Sequence, residues 1–247
     1  MEGKEFIFLC GLHRSGTSLL HEIVRSHPQV SGFQNTGMPE DEGQHLQSVY
    51  QPATSFGGPG KFAFDSGSRM DESHLLANDT SAEIIFEQWR PYFDMSCQYL
   101  VEKSPPNIVR SRFLQKLFPG SKFIFLLRHP LAVSYATRKW SGTEIQSLFE
   151  HYIVAHEIML RDLPFLKSAY ILKYEDLVAE PQAALDGVCD FLGLGPFEVK
   201  QEVKVDVNDK YFRMWESELQ EAAAPGLNLL VQQFEKEINQ LGYSFAV

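Results

Sequence analysis

The sequence predicts an α/β protein with a three-layer P-loop NTPase-like fold, a central parallel sheet flanked by helices. Three observations lead there. The apolar run "FIFLC" at 6–10 feeds a glycine loop, "GLHRSGTS" at 11–18, and a helical pattern follows it. Strand-like apolar runs then alternate with helical stretches along the chain, which implies right-handed βαβ crossovers and a parallel sheet covered on both faces. The strongest run, "KFIFLL" at 122–127, ends in "RHP" with a further helix behind it, and ligands in such sheets bind at the carboxyl ends of strands. A chain of 247 residues suits one domain spanning 1–247.

"EFIFLC" at 5–10 is a short apolar run stopped by glycine, the pattern of a buried parallel strand. In "TSLLHEIVRS" at 17–26, Leu19, Leu20, Ile23 and Val24 recur at helical spacing until "HP" ends the run. "VSGF" at 30–33 reads as a second strand, and the polar, glycine-rich stretch 34–78 as an excursion over one face of the sheet. Thr80 and Glu83 form a capping box opening the helix "SAEIIFEQWRPYF". "CQYLVEKSPPN" is a strand ending in a lysine and a proline-bearing helix start, followed by the amphipathic "IVRSRFLQKLF". After "KFIFLL" come the helix "LAVSYATRKW", a long helix over about 143–163, a strand in "AYILKYEDL" and a helix in "PQAALDGVCDFLGL".

A formal net charge of -10 argues against a nucleic-acid or anionic-membrane binder, which needs a broad basic face. An anionic ligand must then be held by a few focused cations. No apolar stretch approaches the roughly 20 residues of a membrane helix, and the N-terminal run is too short for a signal peptide. Cys10, Cys97 and Cys189 are odd in number and far apart, without metal-ligand spacing. They read as reduced thiols, and the expected location is cytoplasmic. Nothing in the sequence bears on oligomeric state.

The glycine loop carries the chemistry. Gly11 and Gly16 stand five apart and Ser18 two beyond, as in a P-loop, but Thr17 occupies the lysine position of that motif. Backbone N–H groups and a helix N-terminus hold an oxyanion here, and Arg14, Ser15, Thr17 and Ser18 add donors to it; the plainer reading is a glycine turn with no ligand. A nucleotide kinase also needs an aspartate at a strand end to hold Mg²⁺. The best strand ends instead in Arg128, whose planar fork suits phosphate oxygens, with the Ser134 hydroxyl six residues on. The pattern predicts an anion site built from protein groups, with no metal; a surface ion pair is the plainer reading of Arg128.

"FIFLCGLHRSGTSLL" and "FIFLLRHPLAVSYA" together resemble the 5′-phosphosulfate and 3′-phosphate motifs of the sulfotransferases that use 3′-phosphoadenosine-5′-phosphosulfate. "LVEKSP", "LKYEDLVAEP" with "FLGL" after it, and "NDKYFRMW" extend the likeness over most of the chain. From Arg14 through Thr36 it is similar to tyrosylprotein sulfotransferases and to bacterial single-domain sulfotransferases. The resemblance implies a P-loop-topology parallel sheet and a cradle for the 5′-phosphosulfate made by Arg14, Ser15, Gly16, Thr17 and Ser18, with Gly11 and His13 in the same loop. It further implies that Arg128 and Ser134 bind the 3′-phosphate, and that Lys210 and Tyr211 belong to a segment, about 203–247, that closes over the nucleotide. Lys103 falls where the tyrosylprotein branch has a lysine aimed at the sulfuryl group and bridging oxygen, where a fixed cation stabilises the growing charge; the structural alternative is a pair with Glu102. Trp215 reads as core rather than as an adenine platform.

One departure matters. Gln34 and Asn35 occupy the register of the tyrosylprotein branch's catalytic glutamate, and neither amide takes a proton. A general base must come from elsewhere, and "PEDEGQH" offers Glu40, Asp41, Glu42 and His45, a run that otherwise reads as a solvated loop. Glu42, followed by Gly43 just ahead of a possible helix, is the first choice, and His45 the second, because cytosolic members of the family use a histidine. The expected activity is sulfonate transfer to a hydroxyl of a small-molecule or carbohydrate-like acceptor, whose pocket residues 34–78 shape, with Phe56, Phe62 and Phe64 available as walls. The alternatives are a P-loop small-molecule kinase and a catalytically inactive nucleotide-binding homologue.

Overall fold

A computed structural model describes residues 3–220 and 224–246. Its centre is one five-stranded sheet in the order β2-β3-β1-β4-β5, parallel throughout. The strands are β1 (Glu5–Cys10), β2 (Val30–Gly32), β3 (Tyr99–Lys103), β4 (Lys122–Leu127) and β5 (Ala169–Lys173). β1 lies between β3 and β4, so crossovers leave it in both directions. The carboxyl ends of β1, β3 and β4 stand side by side, Leu9 level with Lys103 on one side and Cys10 with Phe125 on the other. That edge receives the glycine loop, Ser104 and Arg128.

Alternation along the strands divides the core into two layers, because successive strand residues point to opposite faces. Phe6, Phe8, Leu100, Phe123 and Phe125 face one layer, packed by α2 (Asp79–Trp89), α3 (Ser111–Leu117), α4 (Pro130–Ser141) and α5 (Ile145–Asp162). Residues of α8 (Asp209–Gln220) and α9 (Ala224–Gln240) join it. Ile7, Leu9, Val101, Ile124 and Leu126 face the other layer with α1 (Thr17–Arg25), α6 (Tyr174–Ala179) and α7 (Pro181–Leu192). In α1, Leu20, Ile23 and Val24 are buried, each contributing roughly 1.5–3 kcal/mol. The excursion after β2 contains short 3₁₀ turns and sends Tyr50, Phe62 and Met70 into the first layer.

Three local expectations are corrected. The cap of α2 is Asn78, whose side chain accepts from Ser81 N, so the helix starts ahead of the Thr80–Glu83 box. Only Ala169–Lys173 of "AYILKYEDL" is strand; Tyr174 onward turns into α6. The chain after Glu42 makes a 3₁₀ turn, Gly43–His45, rather than an extended helix. Cys10 and Cys189 are buried free thiols and Cys97 is a partly exposed one. Among the described residues no helix is long and apolar enough to cross a membrane.

Gly16 shows how tightly the glycine loop is fitted. It caps α1 at φ +101, and a Cβ there would stand 2.4 Å from the Tyr174 ring. Gly16→Ala should therefore lower the unfolding free energy by about 1–3 kcal/mol, read by denaturant titration; an unchanged midpoint would contradict this fit.

Candidate functional site

A cavity of about 640 Å³ opens at the carboxyl ends of β1 and β4. The loop after β1 lines it with His13, Arg14, Gly16, Thr17 and Ser18, and the excursion contributes Glu40 and Glu42. Arg128 and, from α4, Ala136, Lys139 and Trp140 form another wall, and Val207, Lys210 and Tyr211 close it from the C-terminal segment. Four cations, Arg14, Arg128, Lys139 and Lys210, thus converge in a chain of net charge -10. The first turn of α1 faces them without a side-chain cap, so its N–H groups and the positive end of the helix are free for an oxyanion.

Arg128 ties these walls together. Its Nε and Nη2 donate to Asn208 Oδ1 at 2.9 and 2.8 Å, and Nη1 donates to the Arg14 carbonyl at 2.8 Å. Arg14 sits at φ +67, a conformation that L-residues seldom adopt, and this bond holds its carbonyl. The guanidinium lies 4.2 Å over the Tyr174 ring. Three of its five N–H groups are used, so two remain for a ligand. Asn208 in turn donates to Glu175 Oε1, which also accepts from His129 N, while Glu175 Oε2 accepts from Tyr243. One chain of bonds thereby joins β4, the glycine loop, α6 and the C-terminal segment.

On the other side Glu42 faces the cavity from a buried position. Burial pushes its carboxyl up to about 7, against the pull of Lys103 and a hydrogen bond from Gln44. Lys103 Nζ lies 3.5 Å from Glu42 Oε1 and donates to the Glu40 carbonyl at 2.9 Å. The partner of Lys103 is therefore Glu42 and not Glu102. Lys103 is 2% exposed and lines a separate cavity of about 150 Å³ with His21 and Glu40, whereas Glu40 lines the main cavity as well. His45 lies 3.9 Å from Glu42 Oε2 outside the cavity wall, its basicity lowered by burial and then by Lys103. His13 is pushed down to about 3 by burial, with the Lys103, His45 and Arg14 charges adding to it, so it is neutral at pH 7.

Not every expected residue reaches the cavity. Ser134 is buried and lines a pocket of about 10 Å³ with Leu12, Val133 and Leu148. Two residues along a helix is roughly 200° around it, so Ala136 takes the cavity-facing place. Gly11 and Ser15 are buried within the loop and do not line the cavity, with a Cβ on Gly11 meeting Ser15 Oγ at 2.7 Å. Phe62 is fully buried between His13 and His151, and neither it nor Phe56 or Phe64 lines the cavity. Trp215 is core. Lys139, Trp140 and Asn208 were not expected. The first two share a helical face with Ala136 at i+3 and i+4, a periodicity visible in the sequence; Asn208 meets Arg128 across 80 residues of chain and has no local signal.

Asn208→Ala should lower the unfolding free energy by about 1.5–3 kcal/mol, the worth of hydrogen bonds to a charged group. In an Arg128→Met background the same change should cost much less. Equal costs in the two backgrounds, read from a double-mutant cycle, would contradict the coupling.

The sulfotransferase family model matches residues 6–198, a span that holds the glycine loop, Lys103 and Arg128. The chain is 27% identical over 198 residues to protein-tyrosine sulfotransferase 2 of Gallus gallus, covering 76% of this chain and 51% of the relative. It is 24% identical over 202 residues to protein-tyrosine sulfotransferase A of Caenorhabditis elegans, covering 76% and 50%. The chain spans about half the length of these two curated relatives. Among solved structures, the sulfotransferase domain of the Synechococcus PCC 7002 olefin synthase shares its fold with a TM-score of 0.61 at 18% identity, over 99% of this chain and 98% of that one. The sulfotransferase domain of the curacin biosynthetic pathway gives 0.57 at 20%, over 98% of each. With the family model spanning the loop after β1 and the arginine after β4 that build the cavity, the chain belongs to the sulfotransferase family.

Proposed function

We propose that the chain transfers a sulfonate group from 3′-phosphoadenosine-5′-phosphosulfate to a hydroxyl of a small-molecule or carbohydrate-like acceptor, without a metal. The observation that carries this reading is a cavity with four cations on its donor-loop, α4 and C-terminal walls and the Glu42 carboxylate opposite. The residues fit the donor. Arg14, Thr17, Ser18 and the α1 N-terminus receive the phosphosulfate end, and Arg128, Lys139 and Lys210 the 3′-phosphate, each arginine offering a planar fork. When bound, the donor supplies the sulfonate and departs as adenosine 3′,5′-bisphosphate.

The chain's own residues supply the rest. Glu42 takes the proton of the acceptor hydroxyl while the new S–O bond forms and the bond from sulfur to the bridging oxygen breaks. Arg14 answers the charge left on that oxygen. Lys103 balances Glu42, and acts on the bridging oxygen once it exchanges the Glu40 carbonyl for it. A base titrating near 7 is well matched to neutral pH. The names of the Gallus and Caenorhabditis relatives make a tyrosine peptide an acceptor to test beside alcohols and sugars.

Adenosine 3′,5′-bisphosphate should raise the melting temperature without added metal, by an amount equivalent to about 2.7 kcal/mol at a hundredfold excess over Kd. ATP with Mg²⁺ should do little; an equal ATP response that disappears with chelator would favour the kinase reading. Glu42→Gln should lower kcat by about 10²–10⁴-fold with donor affinity near wild type. Because Glu42 works only when ionised, kcat should fall about tenfold per pH unit below about 7 and level off above it. A flat profile between pH 5 and 8 would remove Glu42 from the role.

A further inference from the structure

Behind Glu42 lies a second carboxylate that the mechanism leaves unused. Glu102, on β3 beside Lys103, is 0% exposed. Every group it contacts is a donor: Gly43 N at 2.9 Å and the Ser104 hydroxyl at 2.5 Å reach Oε1, and Asn107 Nδ2 reaches Oε2 at 2.6 Å. That is the pattern of an ionised carboxylate, which only accepts. Ser104 Oγ also accepts from Gln44 N at 3.1 Å. The two N–H groups that follow Glu42 in the chain therefore both end on Glu102, one directly and one through a hydroxyl. Trp89 Nε1 fixes the Gly43 carbonyl at 3.0 Å from the opposite side. The approach is so close that a Cβ on Gly43 would stand 2.6 Å from Glu102 Cγ.

We propose that Glu102 is a positioning residue for Glu42: it ties the backbone of the Glu42 turn to the end of β3 and supplies a second negative charge beside Lys103. This rests on the reading of Glu42 as the base. A solvated acidic loop would leave the Glu42 carboxylate free to swing; here its peptide is anchored while Gln44 and Lys103 hold its two oxygens.

The charge balance follows from the same placement. Glu42 is faced by Lys103 and Glu102 from β3, by His45 on its own turn, and by His13 and Arg14 across the cavity. After burial, which acts most strongly, the Glu102 charge adds to the upward push on Glu42 while Lys103 opposes it. Glu102 itself is raised by burial and held down by its three hydrogen bonds and Lys103, and its charge also reaches Cys10, Tyr50 and Arg110. Removing the Glu102 charge while keeping its shape should thus let Glu42 lose its proton at lower pH.

The experiment is a titration of the Glu42 carboxyl carbon by NMR, assigned by its loss in Glu42→Gln, in wild type and in Glu102→Gln. The expected result is a titration midpoint lower in Glu102→Gln by on the order of one pH unit, with the acid limb of kcat moving in the same direction. Glu102→Ala, which also cuts the tether, should lower kcat by about 10–100-fold, the cost of misplacing a reacting group by about an ångström, with donor KM within about twofold of wild type. A merely structural Glu102 would lower Tm and leave the Glu42 midpoint where it is, and that outcome overturns the proposal whatever the rate of Glu42→Gln. A shifted midpoint upholds it even if Glu42→Gln keeps its full rate, which would overturn the base assignment instead. If the Glu102 variants do not fold, Gly43→Ala carries the test by pushing the turn off Glu102. A tenfold or greater loss of kcat at unchanged donor KM supports the proposal, and a full-rate Gly43→Ala overturns it.

Discussion

The guanidinium of Arg128 is the constraint on which the site depends. Buried just past the end of β4, it is desolvated and must be satisfied by neighbours. It spends Nε and Nη2 on Asn208 and Nη1 on the Arg14 carbonyl. The first pair fastens the C-terminal segment over the sheet edge. The second holds the glycine loop at a backbone angle that its arginine would not otherwise prefer. Glu175 then collects Asn208, His129 N and Tyr243 behind the pair. One cation therefore shapes three walls of the cavity and retains two N–H groups for a ligand.

Across the cavity the problem is reversed, since two carboxylates and one ammonium are buried at the end of β3. Glu42, Glu102 and Lys103 carry less than 10% exposure each, and burying charge is costly unless it is paired. The solution is a division of labour. Glu102 is saturated by donors and fixed in place, whereas Glu42 keeps a weak partner in Lys103 at 3.5 Å and an open face toward the cavity. A saturated carboxylate holds position, whereas Glu42, pushed up to about 7 chiefly by burial, exchanges protons near neutrality.

Much of this was legible in the sequence because it is local. Periodicity placed the strands and the major helices, and the spacing of Gly11, Arg14, Gly16 and Ser18 marked the loop ahead of α1 that lines the cavity. Arg128 could be read from its strand end alone, and Glu42 was set apart from Glu40 and Asp41 by the glycine that follows it, although the helix expected there is a 3₁₀ turn. The misreadings came from side-chain direction and from distance along the chain. Ser134 looked like a ligand from its chemistry, but the helical angle from Ala136 turns it into the core. Asn78 displaced Thr80 as a cap because two adjacent signals compete for one helix start. The structural alternative for Lys103, a pair with its sequence neighbour Glu102, fails because neighbours on a strand point to opposite faces. The bonds from Asn208 to Arg128 and from Gly43 to Glu102 span 80 and 59 residues, and no local pattern announces them.

On the proposed reading, Arg128 holds the phosphate that distinguishes the donor from other adenine nucleotides. The most direct measurement is the ratio of Kd values for adenosine 5′-monophosphate and adenosine 3′,5′-bisphosphate, taken by calorimetry at fixed ionic strength in wild type and Arg128→Ala. Wild type should strongly prefer the bisphosphate, and Arg128→Ala should lose on the order of 2–4 kcal/mol of bisphosphate binding with little change for the monophosphate. An unchanged ratio in a folded Arg128→Ala protein would contradict it.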